Sequence, residues 1–587
     1  MRPGLQPHLY QGRLFMKRAQ QLLDGQWLFR IDRGEQGEAL GWHTPGFEPK
    51  GWLKAPVPGN WDTYLPELFG YAGHAWYRRT FQVKPAWQGA RIHLRFEGAN
   101  YETTVWLNGH EVGCHAGGFD PFAFDVTGLL DWEGENTLAV RVDNWPRIGR
   151  VPNSYGGWWN YGGLYRSVKL LALPPVRIAD VTVRAEPPAP GAEAAPLMVD
   201  VTVVNEGSDP AEVALTAGVT LGDDRVPVEG DLFTPTHLLA PGEAVRLSLQ
   251  ARILSAQLWS PAHPHLYSLR LALKEGRHTL DALETGFGVR RFEVCGTQLC
   301  LNGEPIVLTG VDRHEEYAGK GRVDPGNCLE ADLRLIKEMG GNMVRMHYQA
   351  HPDLYDLADR LGLLIFAEIP AWQVGNRDVH EFSDPQVRQT AEAMLRTLIG
   401  SLKNHPSVVI WSVGNECATR LEEARPFFAH LVEVARSLDT SRPVAYVGMY
   451  GPDEKCFDLV DIACINVYKG LRTQELAELV DQVHAIVPDK PLFITEFGHE
   501  AVLGLRGEGY GTEDEQAQVL AAKWQVFRER RAFIPGGLIW CLADYWHMPA
   551  PPEFKWMNRI YFCHGLTTLA RQRKRAVAVV KRMWAQP

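Results

Sequence analysis

Two glutamates stand at the ends of apolar runs in this chain. Val408-Val409-Ile410-Trp411-Ser412-Val413-Gly414-Asn415 leads into Glu416. Pro491-Leu492-Phe493-Ile494-Thr495 leads into Glu496, followed by Phe497-Gly498-His499. A carboxylate closing an apolar strand is costly unless the strand ends in a polar site. One such glutamate could merely cap its strand or pair with an arginine. Two of them, at the C-terminal ends of two strands of one α/β barrel, can work together. One would protonate a leaving glycosidic oxygen and the other would attack the anomeric carbon. A retaining glycosidase does this with carboxyls ~5–5.5 Å apart. The acid must hold its proton near neutral pH, and the nucleophile must stay ionised.

Other residues at run ends suit the same chemistry. Arg345, in Met343-Val344-Arg345-Met346-His347-Tyr348, would hold down the pKa of a neighbouring Glu496. Tyr468, after Ile465-Asn466-Val467, could hydrogen-bond the same carboxylate. The Asn415 amide could bond a sugar 2-hydroxyl, a contact that strengthens in the transition state. Trp540 could floor the sugar, and His347, His499 and His314 are further candidate contacts. Trp159 and Asn160 join them from the cluster Gly156-Gly157-Trp158-Trp159-Asn160-Tyr161. Flat rings suit the C–H face of a sugar. Each of these residues also has a plainer reading, as an ion pair or as core, and core packing explains most of the 19 tryptophans.

The elements that must position these groups fall into three blocks. The first, residues 1–178, reads as short alternating strands near residues 90–96, 103–107 and 137–142. Asn108-Gly109 marks a hairpin, and the pattern predicts a jelly-roll sandwich. After Pro174-Pro175 a second β block, residues 179–291, predicts an immunoglobulin-like β-sandwich. Its strands fall near residues 181–185, 198–205 and 244–249, with a Pro-, Ala- and Gly-rich loop at 186–196. From residue 292 to 587, strand and helix runs alternate. Eight predicted strands (near 306–311, 342–346, 363–367, 408–413, 444–447, 462–465, 492–495 and 538–541) imply a (β/α)8 TIM barrel. Glu416 then ends strand four and Glu496 strand seven, which face each other across the barrel mouth.

The 587 residues are too many for one domain. A net charge of −10 without a basic stripe argues against nucleic acid. No run approaches the ~20 apolar residues of a membrane span, and Met1 to Tyr10 lacks the apolar stretch of a signal peptide. The nine cysteines are scattered without a Cys-x-x-Cys pair. That points to a reducing cytoplasm, with no metal and no cofactor expected. The expected partner is a small oligosaccharide or other β-glycoside, and a homo-oligomer is compatible with the composition.

With these residues in hand, the chain resembles glycoside hydrolase family 2 over essentially its whole length. Asn404-His405-Pro406-Ser407-Val408-Val409-Ile410-Trp411-Ser412-Val413-Gly414-Asn415-Glu416 and Ile494-Thr495-Glu496-Phe497-Gly498 are similar to its two active-site signatures. Trp158-Trp159-Asn160-Tyr161-Gly162-Gly163-Leu164-Tyr165-Arg166 looks like the jelly-roll segment that reaches the active site in β-glucuronidases and their relatives. The resemblance implies Glu416 as acid/base and Glu496 as nucleophile, with Arg345, Asn415, Tyr468 and Trp540 in support. A carbohydrate-binding relative without catalysis is the alternative, and the presence of both carboxylates argues against it.

The sugar is harder to read. β-Glucuronidases of the family hold the substrate carboxylate with an Asn-x-Lys motif; the matching stretch here, Tyr561-Phe562-Cys563-His564-Gly565-Leu566-Thr567-Thr568, has neither the Asn nor the Lys, which counts against a uronic acid. Lys555, Asn558 and Arg559, slightly upstream, are the candidates for a displaced anion site. His499, three residues past Glu496, and His347-Tyr348-Gln349-Ala350-His351-Pro352 resemble the β-galactosidase pattern. The expectation is therefore an exo-acting retaining β-glycosidase of β-galactosidase type, with a β-uronidase as the alternative.

Overall fold

Asn108-Gly109 turns the hairpin its sequence predicts. Glu102–Leu107 pairs antiparallel with His110–Ala116, and the two turn residues take φ of 53° and 83°. A type I′ turn requires positive φ at both positions. The hairpin is one edge of a six-stranded sheet that packs on a four-stranded sheet. In the computed structural model, which describes residues 18–152, 157–468, 473–548 and 560–585, this sandwich closes over Trp27, Trp61, Tyr77 and Phe96.

The second sandwich follows the same logic of alternation. Along Ala194–Asn205, residues Ala195, Leu197, Val199 and Val201 turn inward and their neighbours outward. This strand starts earlier than its composition suggests, because Ala194 still pairs with Leu254. The predicted loop at 186–196 is correspondingly shorter. The sheet containing it packs on the sheet built around Ala211–Leu221 and Tyr267–Glu275.

Eight parallel strands then close into a barrel. They are β1 (Leu308–Asp312), β2 (Met343–Met346), β3 (Leu364–Glu368), β4 (Val408–Asn415), β5 (Val444–Gly448), β6 (Ile462–Asn466), β7 (Leu492–Phe497) and β8 (Gly536–Ile539). Pairing of β1 with both β2 and β8 completes the ring. Among the described residues seven helices cover it: α1 (Cys328–Glu338), α2 (Pro352–Leu361), α3 (Pro385–Leu402), α4 (Ala424–Leu438), α5 (Thr473–Ile486), α6 (Glu513–Glu529) and α7 (Ala576–Trp584). Short 3-10 turns, Gly451–Asp453 and Phe457–Leu459, join β5 to β6. Phe292, Leu299 and Leu301 pack with the inward side chains of Leu308, Met343, Phe366 and Phe493. Polar strand ends are thereby left to the opposite, C-terminal mouth, where barrel enzymes carry their chemistry.

The sandwiches are bolted to the barrel by buried polar contacts. Trp259 donates Nε1–H to the Asp359 carbonyl at 3.0 Å. Arg166 of the jelly roll donates to Glu315 Oε2 at 2.8 Å and to the Gln349 carbonyl at 3.0 Å. Tyr161 donates to Glu316 at 2.9 Å. Trp158 packs within the barrel's own apolar cluster. Arg166 and Glu315 are both buried, so removing one charge strands the other. Arg166→Met is expected to cost about 3–5 kcal/mol. In calorimetry this reads as a lower temperature for the transition that separates jelly roll from barrel; an unchanged transition would show that the pair carries no load.

Candidate active site

Bulges aim both glutamates. In the β6–β7 ladder, Ile465 pairs with Ile494, but Asn466 pairs with Glu496 and skips Thr495. In the β4–β5 ladder the register shifts between Ser412 and Asn415. Each extra residue re-aims the following side chain. Glu416, next after β4, also takes φ of 53°, a conformation uncommon outside glycine. It is held there by its N–H to the Val447 carbonyl at 2.8 Å and by Asn376 Nδ2 to its carbonyl at 2.6 Å.

The two carboxyls have unlike surroundings. Glu416 is half-buried; it accepts from Asn466 Nδ2 at 2.9 Å and from Trp372 Nε1 at 3.3 Å. Glu496 is 4% exposed and accepts from Arg345 Nη1 at 2.8 Å and from the Tyr468 hydroxyl. Arg345 is fully buried and reaches four partners besides. It bonds Asp312 at 3.0 Å, both oxygens of Glu368 at 3.1 Å, Asn415 Oδ1 at 2.9 Å and, at 3.5 Å, the Thr495 carbonyl. Burial pushes the Asp312 carboxyl well up from its ordinary range, against the pull of the Arg345 guanidinium. Glu368 is instead held below that range: burial would raise it, but Arg345 and a His347 hydrogen bond win.

Glu496 departs from the sequence expectation. Burial pushes its carboxyl up, to about 7; Arg345 pulls it down and the nearby Glu416 charge adds to the rise. The arginine is where the sequence places it, but desolvation outweighs it.

Two histidines face each other across the mouth, with ring centroids 5.5 Å apart. Burial drives His347 down to about 4 and His314 well below its usual range, so both are neutral. Ionised Glu368 can only accept, so the 2.9 Å contact assigns the proton to His347 Nδ1 and leaves Nε2 a bare acceptor. The Tyr348 hydroxyl accepts from Glu315 N–H at 3.0 Å and meets His314 Nδ1 at 3.2 Å. Both Nε2 atoms are buried without a hydrogen-bond partner. Trp540 lies 5.3 and 5.2 Å from the two rings, and Tyr545 lies 4.9 Å from His314.

The aromatic wall differs from the expectation. Trp158, rather than Trp159, stands over His347 (6.0 Å, 20°) and beside Trp372 (6.0 Å). Trp159 turns away, bonding Asp62 at 2.9 Å and stacking on Phe69 at 4.5 Å. Asn160 is spent on Asn100 and the Asn144 carbonyl, each at 2.8 Å. His499 also leaves the group: it faces Glu515 at 3.2 Å and the ring of Tyr510 at 5.2 Å, on the α6 side. Glu416, Glu496, Asn415, Arg345, His347, His314, Tyr468 and Trp540 do come together. Sequence reasoning missed Asp312, Glu368 and Asn466, although each ends a barrel strand, the signal that found the glutamates. It also missed Trp372 and Trp158, which sit in irregular segments.

A jelly roll, an immunoglobulin-like sandwich and a barrel with paired glutamates at its mouth define a multidomain glycoside hydrolase. Three family models span the chain. The one described as Glycosyl hydrolases family 2, sugar binding domain, matches residues 21–174. Glycosyl hydrolases family 2 matches 176–290, and its TIM barrel domain matches 292–586, half of the chain. The chain belongs to glycosyl hydrolases family 2. A β-glucuronidase of Paenibacillus borealis is 29% identical over 606 residues, covering 96% of each chain. A β-galactosidase of Priestia megaterium is 27% identical over 89% of this chain but 51% of its own. The structure of Ruminococcus gnavus β-glucuronidase in complex with uronic isofagomine matches with a TM-score of 0.87 at 25% identity, over 99% of both chains. Among the described residues, no helix is long and apolar enough to cross a membrane.

The Tyr468 hydroxyl stabilises the ionised form of Glu496, so its loss must raise the carboxyl further. Difference infrared spectra of native enzyme against Glu496→Gln should show a titration near pH 7. In Tyr468→Phe the midpoint is expected about one unit higher, the worth of one hydrogen bond to a charge. An unmoved midpoint would mean that Tyr468 does not govern it.

Proposed function

We propose that the protein is a retaining, exo-acting β-glycosidase that removes terminal β-linked uronic acid residues, glucuronides foremost, by double displacement. The unequal setting of the two carboxyls carries the mechanistic reading. Glu496, gripped by Arg345 and Tyr468, is the nucleophile. Its oxygen attacks the anomeric carbon while the glycosidic oxygen leaves with the proton of Glu416. Glu416 then takes a proton from water, whose oxygen attacks the same carbon on the face just vacated. Glu496 is released and the configuration is retained. Asn415 is fixed by Arg345 and by Asn466 at 3.2 Å on its Oδ1, which leaves its NH2 group to a sugar hydroxyl. His314 and His347 offer their unpartnered Nε2 atoms to others.

The choice of a uronide rests on the relatives. The β-glucuronidase of P. borealis is matched end to end, whereas the β-galactosidase extends well beyond this chain. The galactose expectation leaned on His499, whose contacts run to Glu515 and Tyr510 instead. A buried carboxylate needs a paired cation. Lys555, Asn558 and Arg559, the candidates for that cation site, lie outside the described residues. All nine cysteines are free thiols, which suits action in a reducing cytoplasm.

Glu416→Ala should keep the nucleophile but lose acid assistance. Activated aryl glycosides should suffer far less than alkyl glycosides. Azide should restore turnover and yield the β-glycosyl azide, while Glu496 becomes the residue labelled by a 2-fluoroglycoside. An α-azide or a label elsewhere would reverse the roles.

On a panel of aryl β-glycosides, kcat/KM for the glucuronide should exceed that for galactoside, glucoside and mannoside by about 10-fold or more. A site built around polar partners rejects analogues that leave them unpaired. A galactoside at the head of the panel would restore the neutral-sugar reading.

A further inference from the structure

The segment that follows Glu416 carries a cation with no role so far. Cys417 to Arg420 is a rigid connection: Ala418 N–H bonds the Val374 carbonyl at 2.9 Å, and Lys455 N–H bonds the Thr419 carbonyl at 3.0 Å. It presents Arg420 with its guanidinium 4.4 Å above the ring centre of Tyr450. The Tyr450 hydroxyl donates to Asn376 Oδ1, and Asn376 holds the Glu416 carbonyl at 2.6 Å. Arg420, Tyr450 and Asn376 thus form one chain of contacts ending on the main-chain carbonyl of Glu416.

Arg420 is exposed and has no hydrogen bond or ion pair among the described residues. The nearby acids are engaged elsewhere. Glu422 pairs with Lys455 at 2.8 Å. Glu454 is buried, accepting from Tyr446, Met449 and Tyr450. Stacking on a ring pre-orders a guanidinium while leaving its N–H fork free to grip an oxyanion with two bonds.

From this juxtaposition we infer that the leaving-group side of the cleft is an anion subsite, in which Arg420, pinned on Tyr450, receives a carboxylate or sulfate carried by the aglycone. The placement follows from the proposed role of Glu416, on which the inference rests. The oxygen protonated by Glu416 belongs to the aglycone, so the aglycone lies against the residues that surround that carboxyl. The preferred substrates are then acidic on both sides of the scissile bond, as in a uronic acid linked to a second acidic unit or to an acidic aryl group.

The test is a ratio of kcat/KM. Three β-glucuronides are compared, with 4-nitrophenyl, 3-carboxy-4-nitrophenyl and 3-sulfo-4-nitrophenyl leaving groups. The native enzyme should favour one or both anionic aglycones about 5-fold over the neutral one at low salt, the upper range of an exposed ion pair. Whichever anion is favoured names the class. The ratio should fall toward one in 0.5 M NaCl as the pair is screened. In Arg420→Gln it should fall to one at low salt, and in Arg420→Lys it should lie between. A native ratio of one, or a ratio that Arg420→Gln leaves unchanged, overturns the inference. If another sugar heads the specificity panel, the three leaving groups are attached to that sugar, so failure of the uronide reading leaves this test intact. Turnover of no aryl β-glycoside at all would remove both.

Discussion

Everything at the barrel mouth depends on the burial of one guanidinium. Arg345 has no access to water, and a lone charge there would be prohibitive. It is tolerable because Asp312, Glu368 and Glu496 converge on it from β1, β3 and β7 within 3.1 Å. Burial raises Asp312 and Glu496, while Arg345 and His347 hold Glu368 down, so one guanidinium is shared among three carboxyls of unlike character. Glu496 is therefore not an independent group. Its position and charge depend on an arginine anchored on β2, and any change at Asp312 or Glu368 is felt there.

The jelly roll is tied into this arrangement rather than appended to it. Trp158 comes from the segment linking its last strands, yet it packs with barrel residues and stands over His347. Eight residues later, Arg166 crosses into the barrel to pair with Glu315. Glu315 sits beside His314 in the connection after β1, and its N–H donates to the Tyr348 hydroxyl that meets His314 Nδ1. The jelly roll therefore supplies one wall directly and braces the other side of the pocket indirectly. A barrel without this sandwich would lose both an indole surface and the buried partner of Glu315.

The architecture and the two glutamates that meet at the barrel mouth are legible in the sequence because both rest on periodic signals. Alternation in the sandwiches, apolar runs in the barrel and glutamates at run ends survive in one dimension. Asp312, Glu368 and Asn466 carry the same signal and were passed over only because their flanks were less distinctive. The misses have a different origin. Which of Trp158 and Trp159 faces the pocket depends on the path of a segment with no repeating period, and the two point opposite ways. His499 lies past the end of β7, where the chain swings its side chain toward α6 and Glu515. The protonation of Glu496 was misjudged because the sequence names its arginine but not the depth at which both are buried, and at that depth desolvation outweighs the ion pair.

The bulges bring these strands of argument together. In a regular parallel strand, consecutive side chains alternate between the barrel interior and the helices. Asn415 and Glu416 could not then both serve the mouth. The shift between Ser412 and Asn415, completed by positive φ at Glu416, lets Asn415 turn to Arg345 while Glu416 meets Asn466 and Trp372. The skipped Thr495 does the same on β7 and bonds Asn466 Oδ1 at 2.9 Å. That contact orients the Asn466 amide so that its NH2 reaches Glu416. The irregularity that aims Glu496 thus also positions the donor on Glu416, and the two carboxyls are coupled through one asparagine between them.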